Sequence, residues 1–325
     1  MSSEPGATLE ALASAAVRVG DAVRQTVVGQ DTAAETLLAA YMAGGHALIE
    51  GVPGIAKTLL ARCFASSLGL QFSRVQFTPD LMPSDLVGTN IYDRKTSAYR
   101  LVRGPVFTEV FMADEINRTP PKTQSALLES MQERQVTIDG VTHLLEEGFF
   151  VIATQNPVEF EGTYPLPEAQ LDRFIARVDM GLPDRKSEIE IYRRAVSGTL
   201  AGWGNAAPLP GPVVSRAEAI ALRGASRRVH LAPELLEYVA SLAAAVRESP
   251  RVEIGVSPRG ALALIETARS LAATDGRDFV SPDDVKRCLV PCWGHRVLLT
   301  AEAELESETP GQLLGAIAST VSVPR

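Results

Sequence analysis

Three cysteines among 325 residues are too few for a disulfide framework, which excludes the small stapled secreted folds. Cys288 and Cys292 lie four apart on one face of an expected helix, with only Asp283, Asp284 and the more distant His295 near as ligands. A pair of buried core thiols is therefore expected rather than a metal site. No apolar run reaches the roughly 18 residues of a membrane span. A basic surplus is missing too: 31 Lys and Arg face 39 Asp and Glu, a formal net charge of −8. That balance argues against broad binding to nucleic acid, although a local basic pore or patch stays open. The opening segment Met1-Ser2-Ser3-Glu4-Pro5-Gly6 is acidic rather than basic and leads into an amphipathic helix, so no secretory signal is expected. No internal repeat is visible. The composition that remains is that of an ordinary globular protein, 46% apolar and 22% charged, with length for roughly two domains. A reducing, cytoplasmic setting fits all of this.

The chemistry that is present concentrates in residues 51–58, Gly51-Val52-Pro53-Gly54-Ile55-Ala56-Lys57-Thr58. An apolar run at 46–50 precedes them, and Leu59-Leu60-Ala61-Arg62-Cys63-Phe64-Ala65 follows at helical spacing. A strand, a Gly-rich turn and a helix form the context in which backbone N–H groups wrap phosphates. Lys57 would reach the β- and γ-phosphates, and the Thr58 hydroxyl would sit on Mg²⁺. Ala56 stands where Gly usually precedes the Lys, so its methyl is a small obstruction that puts nucleotide affinity in question. A plain turn between strand and helix is the bland alternative.

Apolar runs at 46–50, 70–77, 107–113, 148–154 and 174–180 predict five strands, with helical patterns between most of them, notably 57–67 and 121–134. Such alternation argues for a parallel sheet covered on both faces. Helices are also expected at 7–27 and 30–43. Residues 85–103 read as a projecting hairpin, and 135–147 as a second one turning at Asp139-Gly140. After Leu182-Pro183-Asp184 the pattern becomes helical only, with a loose Gly/Pro/Ala-rich loop at 198–214. Helices are expected near 215–227, 233–248, 258–274, 281–293 and 310–321, with Ser257 and Ser281 as N-caps. Two domains follow, 1–182 and 183–325.

Further motifs give the loop a context. Val110 to Glu115 is an apolar strand ending in two carboxylates: an Asp there holds Mg²⁺ in P-loop ATPases, and Glu115 can activate water. The run Phe150 to Pro157 ends in Asn156, which can position the water or contact the γ-phosphate. Arg173, in Pro167 to Phe174, can serve a neighbouring subunit's nucleotide as an arginine finger, or simply pair with Asp172 or Glu168. Arg259, in the first turn of a helix of the second unit, can reach across to the γ-phosphate and couple domain closure to nucleotide state.

In this order and spacing the motifs resemble those of AAA+ ATPases, and more narrowly of the MoxR family. Glu50 to Thr58 is similar to the family's phosphate loop, where Ala before the Lys recurs. Ala113-Asp114-Glu115-Ile116-Asn117-Arg118-Thr119-Pro120-Pro121-Lys122-Thr123-Gln124 resembles its Walker B segment and the helix that follows. Ala153 to Pro157 resembles sensor 1, Leu166 to Phe174 the arginine-finger region, Ser257-Pro258-Arg259 sensor 2 and Val28-Gly29-Gln30 the adenine-side motif. The resemblance runs from about residue 24 nearly to the end and is weakest at 198–214. It implies an AAA+ P-loop core, α/β with a five-stranded parallel sheet covered by helices, followed by a smaller all-helical lid. It implies ATP and Mg²⁺, with Gln30, residues 51–58, Leu59 and Asp114 binding the nucleotide, Thr58 and Asp114 on the metal, and Glu115, Asn156, Arg173 and Arg259 in catalysis. It also implies a homo-hexamer on nucleotide binding, hairpins that line its pore, and a client protein such as one with a von Willebrand factor A domain or a metal cofactor.

The leading reading is thus a Mg²⁺-dependent ATPase with chaperone-like action that remodels, matures or activates a partner protein. A magnesium-chelatase-like motor subunit is the rival enzyme. A nucleotide-dependent scaffold without turnover would be expected to have lost one of Glu115, Asn156, Arg173 or Arg259. A DNA-directed motor is disfavoured by the acidic balance.

Overall fold

The computed structural model describes residues 8–156, 162–201 and 208–324. The segment Met1-Gly6, Pro157 and part of the 198–214 loop lie outside the described residues. Helices α1 (Leu9–Thr26) and α2 (Asp31–Met42) precede β1 (Ala47–Glu50), and α3 (Lys57–Ser67) leads on to β2 (Phe72–Gln76). A short α4 (Pro83–Val87) opens onto the hairpin of β3 (Gly88–Asp93) and β4 (Ala98–Arg103). Then come β5 (Val110–Asp114), α5 (Pro121–Glu133), the hairpin of β6 (Gln135–Ile138) and β7 (Val141–Leu144), β8 (Phe150–Gln155), α6 (Glu168–Leu171) and β9 (Ala176–Asp179). The C-terminal half carries α7 (Arg185–Val196), α8 (Arg216–Leu222), α9 (Pro233–Glu248), β10 (Val252–Ile254), α10 (Pro258–Thr274) and α11 (Pro282–Trp293). It ends with β11 (Leu298–Leu299), α12 (Ala301–Leu305) and α13 (Pro310–Thr320).

Five strands form one sheet in the order β2-β5-β8-β1-β9, and every pairing in it is parallel. Side chains alternate between its faces, as a two-residue period requires. Ile49, Val110, Met112, Phe150 and Ile152 join the core under α1, α2 and α3. Leu48, Phe111, Ala113, Val151 and Ala153 point the other way and pack with Leu127 and Leu128 of α5. Burial on both sides explains why β1, β5 and β8 are apolar along most of their length, whereas the edge strands β2 and β9 carry polar residues.

The first of those cores does not stop at residue 182: it continues through Leu242, Leu264 and Trp293 of the C-terminal half. Polar straps reinforce the join. Buried Arg296 donates to Asp172 Oδ1 at 2.6 Å and to the Phe174 carbonyl at 2.7 Å, and Arg216 pairs with buried Glu109 at 2.6 Å. The helices-only expectation needs one correction, because β10 and β11 pair antiparallel through Val252 and Leu299. Ser257 and Ser281 do cap α10 and α11, accepting from the N–H groups of Gly260 and Asp284. The three cysteines are free and buried, as expected of core thiols.

Register decides where function can sit. Glu50 is level with Gln155 and Asp179, and Gln76 with Asp114, so the polar residues at the carboxyl ends of the strands share one edge of the sheet. Open parallel sheets bind ligands at that edge.

Candidate nucleotide-binding site

The 51–56 loop leaves β1 at that edge and enters α3 at Lys57. Glycine is required at Gly51, where a Cβ would lie 2.3 Å from Ile55 Cδ1 and 2.5 Å from the Met180 carbonyl oxygen. Gly54 has φ +85°, also a glycine conformation. Ala56 adopts φ 70° and ψ 27°, the left-handed region, with its side chain exposed. The methyl therefore obstructs nothing in the fold, and its cost lies in the backbone.

A cavity of about 620 Å³ opens over the loop, a size suited to a small-molecule ligand. Gln30, Lys57, Thr58, Leu59, Asp114 and Glu115 all reach it, together with Pro53 to Ala56. The rest of its lining is more apolar, with Val28, Leu182, Pro183, Ile191, Tyr192 and Leu200. Gln30 is nearly buried and donates to the Gly181 carbonyl at 2.9 Å, which closes the cleft between α2 and the chain leaving β9. Gly51 and Val52 belong to the loop without lining the cavity, and Val52 is exposed.

Lys57 Nζ donates to the carbonyls of Gly51 at 2.8 Å and Gln155 at 3.3 Å, so it spans from the loop to the end of β8. Asn156 follows Gln155 directly and is buried. Asp114 ends β5 and is also buried. Its Oδ1 accepts from Thr154 Oγ1 at 2.6 Å, and its Oδ2 lies 3.5 Å from Thr58 Oγ1. Thr154 Oγ1 in turn accepts from the Glu115 N–H at 2.9 Å. Glu115 itself has φ 57° and ψ 50°, a left-handed conformation that costs a non-glycine residue energy. Beside the loop, burial raises the pKa of the Glu50 carboxyl although Arg177 opposes the shift.

Three side chains that sequence reasoning did not single out complete the cluster. Arg74 places Nε at 2.9 Å and Nη2 at 2.6 Å from Asp114 Oδ2. Gln76 accepts from Arg74 Nη2 at 2.9 Å and donates to Glu115 Oε2 at 2.7 Å. Arg118 pairs with the same Oε2 at 3.0 Å. The available signal was two polar residues at spacing two near the end of a strand, hence on one face. Which strand they face is set by the crossover, which linear sequence does not print.

Arg173 and Arg259 are elsewhere. Both line a cavity of about 240 Å³ with Gly44 and Gly45, which lead into β1. That is the amino-terminal edge of the sheet, about 13 Å from the phosphate loop across the four residues of β1. Within the single chain, Arg259 therefore lies away from the phosphate loop, and its expected reach to a γ-phosphate is not made from this position. Ser257 Oγ donates to Asp172 Oδ2 at 3.2 Å, which pins the start of α10 to the amino-terminal side. Asp172 is taken by Arg296 rather than by Arg173. Among the described residues neither Arg173 nor Arg259 has an ion-pair partner, and Arg259 is exposed.

Two family models match the chain. One describes an "ATPase family associated with various cellular activities (AAA)" and covers residues 46–176; the other, an "AAA lid domain", covers 244–317. Chaperone MoxR1 of Mycobacterium tuberculosis is 41% identical over 315 residues, 93% of this chain and 81% of that protein. Protein MoxR of Methylorubrum extorquens is 32% identical, with 95% of each chain covered. A crystal structure from Cytophaga hutchinsonii, titled as a candidate ATPase, superposes with a TM-score of 0.86 at 40% identity, covering 97% of this chain and 96% of that one.

Proposed function

The chain belongs to the MoxR family of AAA+ ATPases, and from that membership we propose a Mg²⁺-dependent ATPase that spends hydrolysis on remodelling a partner protein. The observation that carries this reading is the convergence of Lys57, Thr58, Asp114 and Glu115 on one cavity at the carboxyl ends of the strands. Residues 1–182 form the nucleotide-binding unit and 183–325 the lid. ATP lies with its phosphates against the 51–56 backbone and Lys57, and its base against the apolar lining near Val28 and Tyr192. Gln30 holds the cleft closed between them.

The donors suit a divalent cation of the hard kind: a hydroxyl at Thr58 and a buried carboxylate at Asp114, 3.5 Å apart. Two protein donors leave the remaining positions of such an ion to phosphate and water. When bound, Mg²⁺ would neutralise charge on the transferring phosphate. Thr154 keeps the Asp114 carboxylate aimed at the cleft. Both contacts to Glu115 use Oε2, which leaves Oε1 to take the proton from attacking water. Asn156 positions that water.

Arg173 and Arg259, both at the far edge, act on the nucleotide of a neighbouring subunit in a closed ring, with a hexamer the expected size. The partner is a client protein, such as one carrying a von Willebrand factor A domain, engaged by the 88–103 hairpin. No helix among the described residues is long and apolar enough to cross a membrane; a cytoplasmic setting is proposed separately, from the low cysteine count. The test is direct. Glu115→Gln should bind ATP as tightly as the wild type and lose at least about 100-fold in turnover, whereas Lys57→Ala should lose binding. Full turnover by Glu115→Gln would remove that residue from its role.

A further inference from the structure

We propose that Arg74 is a built-in counter-cation for Asp114, a positioning residue that competes with the divalent metal and must withdraw from Oδ2 before the metal can bind. This rests on the nucleotide-and-metal reading of the site. Two nitrogens of Arg74 converge on Oδ2, at 2.9 and 2.6 Å, and Oδ2 is the carboxylate oxygen that also faces Thr58 Oγ1. The cation thus occupies the oxygen between the two side chains that would hold the metal. Asp114 has a side chain only 9% exposed, so without a partner its charge would be poorly solvated, and Arg74 supplies that partner. Once a dication shares the oxygen, the two positive charges repel at short range.

Arg74 can leave. Its side chain is 44% exposed, so the guanidinium has solvent to move into. Gln76 offers an intermediate hold, because its Oε1 already accepts from Arg74 Nη2 at 2.9 Å. The same Gln76 donates to Glu115 Oε2, so moving Arg74 off Asp114 is felt at the base through one side chain. Metal arrival and the placement of Glu115 are thereby linked through β2, the strand that leads into the 88–103 hairpin.

The experiment measures equilibrium binding of Mn²⁺ in the presence of ADP, by the loss of free-ion electron paramagnetic resonance signal, on full-length wild type, Arg74→Ala and Arg74→Gln. Melting temperatures are recorded without metal and with saturating Mn²⁺ and ADP. Removing the competing charge should tighten Mn²⁺ binding about tenfold in both variants, the worth of one charge-assisted pair. It should also lower the melting temperature of the metal-free protein, with most of the loss recovered when metal and nucleotide bind. Arg74→Gln keeps a donor for Asp114 and so stays folded if the alanine variant does not. Unchanged or weaker Mn²⁺ binding in the folded variants would overturn the proposal and leave Arg74 as an ordinary brace. A wild type that takes up no Mn²⁺ in the presence of ADP would overturn the metal reading of the site as well, an outcome distinguishable because it appears before any variant is made.

Discussion

At the scale of single residues, two left-handed backbones mark the site, Ala56 at φ 70° and Glu115 at φ 57°. For an L-residue that conformation costs roughly 1–2 kcal/mol. At Ala56 the strain is removable, since the methyl is exposed and glycine accepts the angle freely. Glycine also loses more freedom on folding, which offsets about 0.5–1 kcal/mol. Ala56→Gly should therefore stabilise the metal-free protein by about 0.5–1 kcal/mol in urea unfolding and leave ATP affinity equal or better. A lower unfolding midpoint would show that the loop is relaxed as it stands. Residue-level reading from sequence locates what is contiguous: Lys57, Thr58, Asp114 and Glu115, picked out from two short motifs, line one cavity. It missed Arg74 and Gln76 because their role exists only through the pairing of β2 with β5, whose register brings Gln76 level with Asp114.

At the scale of elements, apolar runs identified the five strands of the sheet, most plainly β1, β5 and β8, which are buried on both faces and so are visible without knowing their neighbours. What was lost has physical causes. Helix α7 fully buries no residue, and its half-buried face mixes Ile191 and Ala195 with Glu188, Glu190 and Arg194, so no apolar run marks it. Strands β10 and β11 have three and two residues, too short for any period. The 88–103 hairpin was legible and is the element on which client coupling is proposed to rest. Tyr92 and Tyr99 pair across it with ring centroids 5.4 Å apart, yet both are at least half exposed, as is Ile91. The hairpin is tied down below the tip: Leu101 packs on the second core, Arg103 covers the Phe107 ring, and Asn90 donates to Asp139 Oδ2 in the turn of the second hairpin at 2.8 Å. Replacing residues 93–98 by a Gly-Ser turn should thus keep the melting temperature and basal ATPase near wild type. Stimulation of that ATPase by the client should disappear. A large drop in thermal stability would mean that the hairpin braces the sheet.

For the whole molecule, the sheet keeps two groups of candidate residues apart: those around the cavity at the carboxyl edge, and Arg173 with Arg259 at the amino edge, both without an ion pair among the described residues. The sequence showed all these residues but not which end of the sheet each would reach, because α10 is placed by Arg296 and Asp172, far apart in the chain. One chain cannot bring its own two ends together, so hydrolysis should need a neighbour, and complementation can say which residues act across the junction. Mixing Arg173→Ala with Glu115→Gln should recover activity at about a quarter of the junctions of a randomly mixed cyclic ring. There an intact Glu115 meets an intact Arg173. Arg259→Ala mixed with Glu115→Gln should recover activity in the same way. Arg173→Ala mixed with Arg259→Ala should stay inactive, because both residues come from one face of one subunit and no junction then receives the pair. If Arg259 instead served its own chain's nucleotide, that last mixture would regain activity, since an Arg173→Ala subunit would keep Arg259 and borrow Arg173 from its neighbour. Steady-state ATPase on the three mixtures separates the two arrangements, with each single variant as its own baseline.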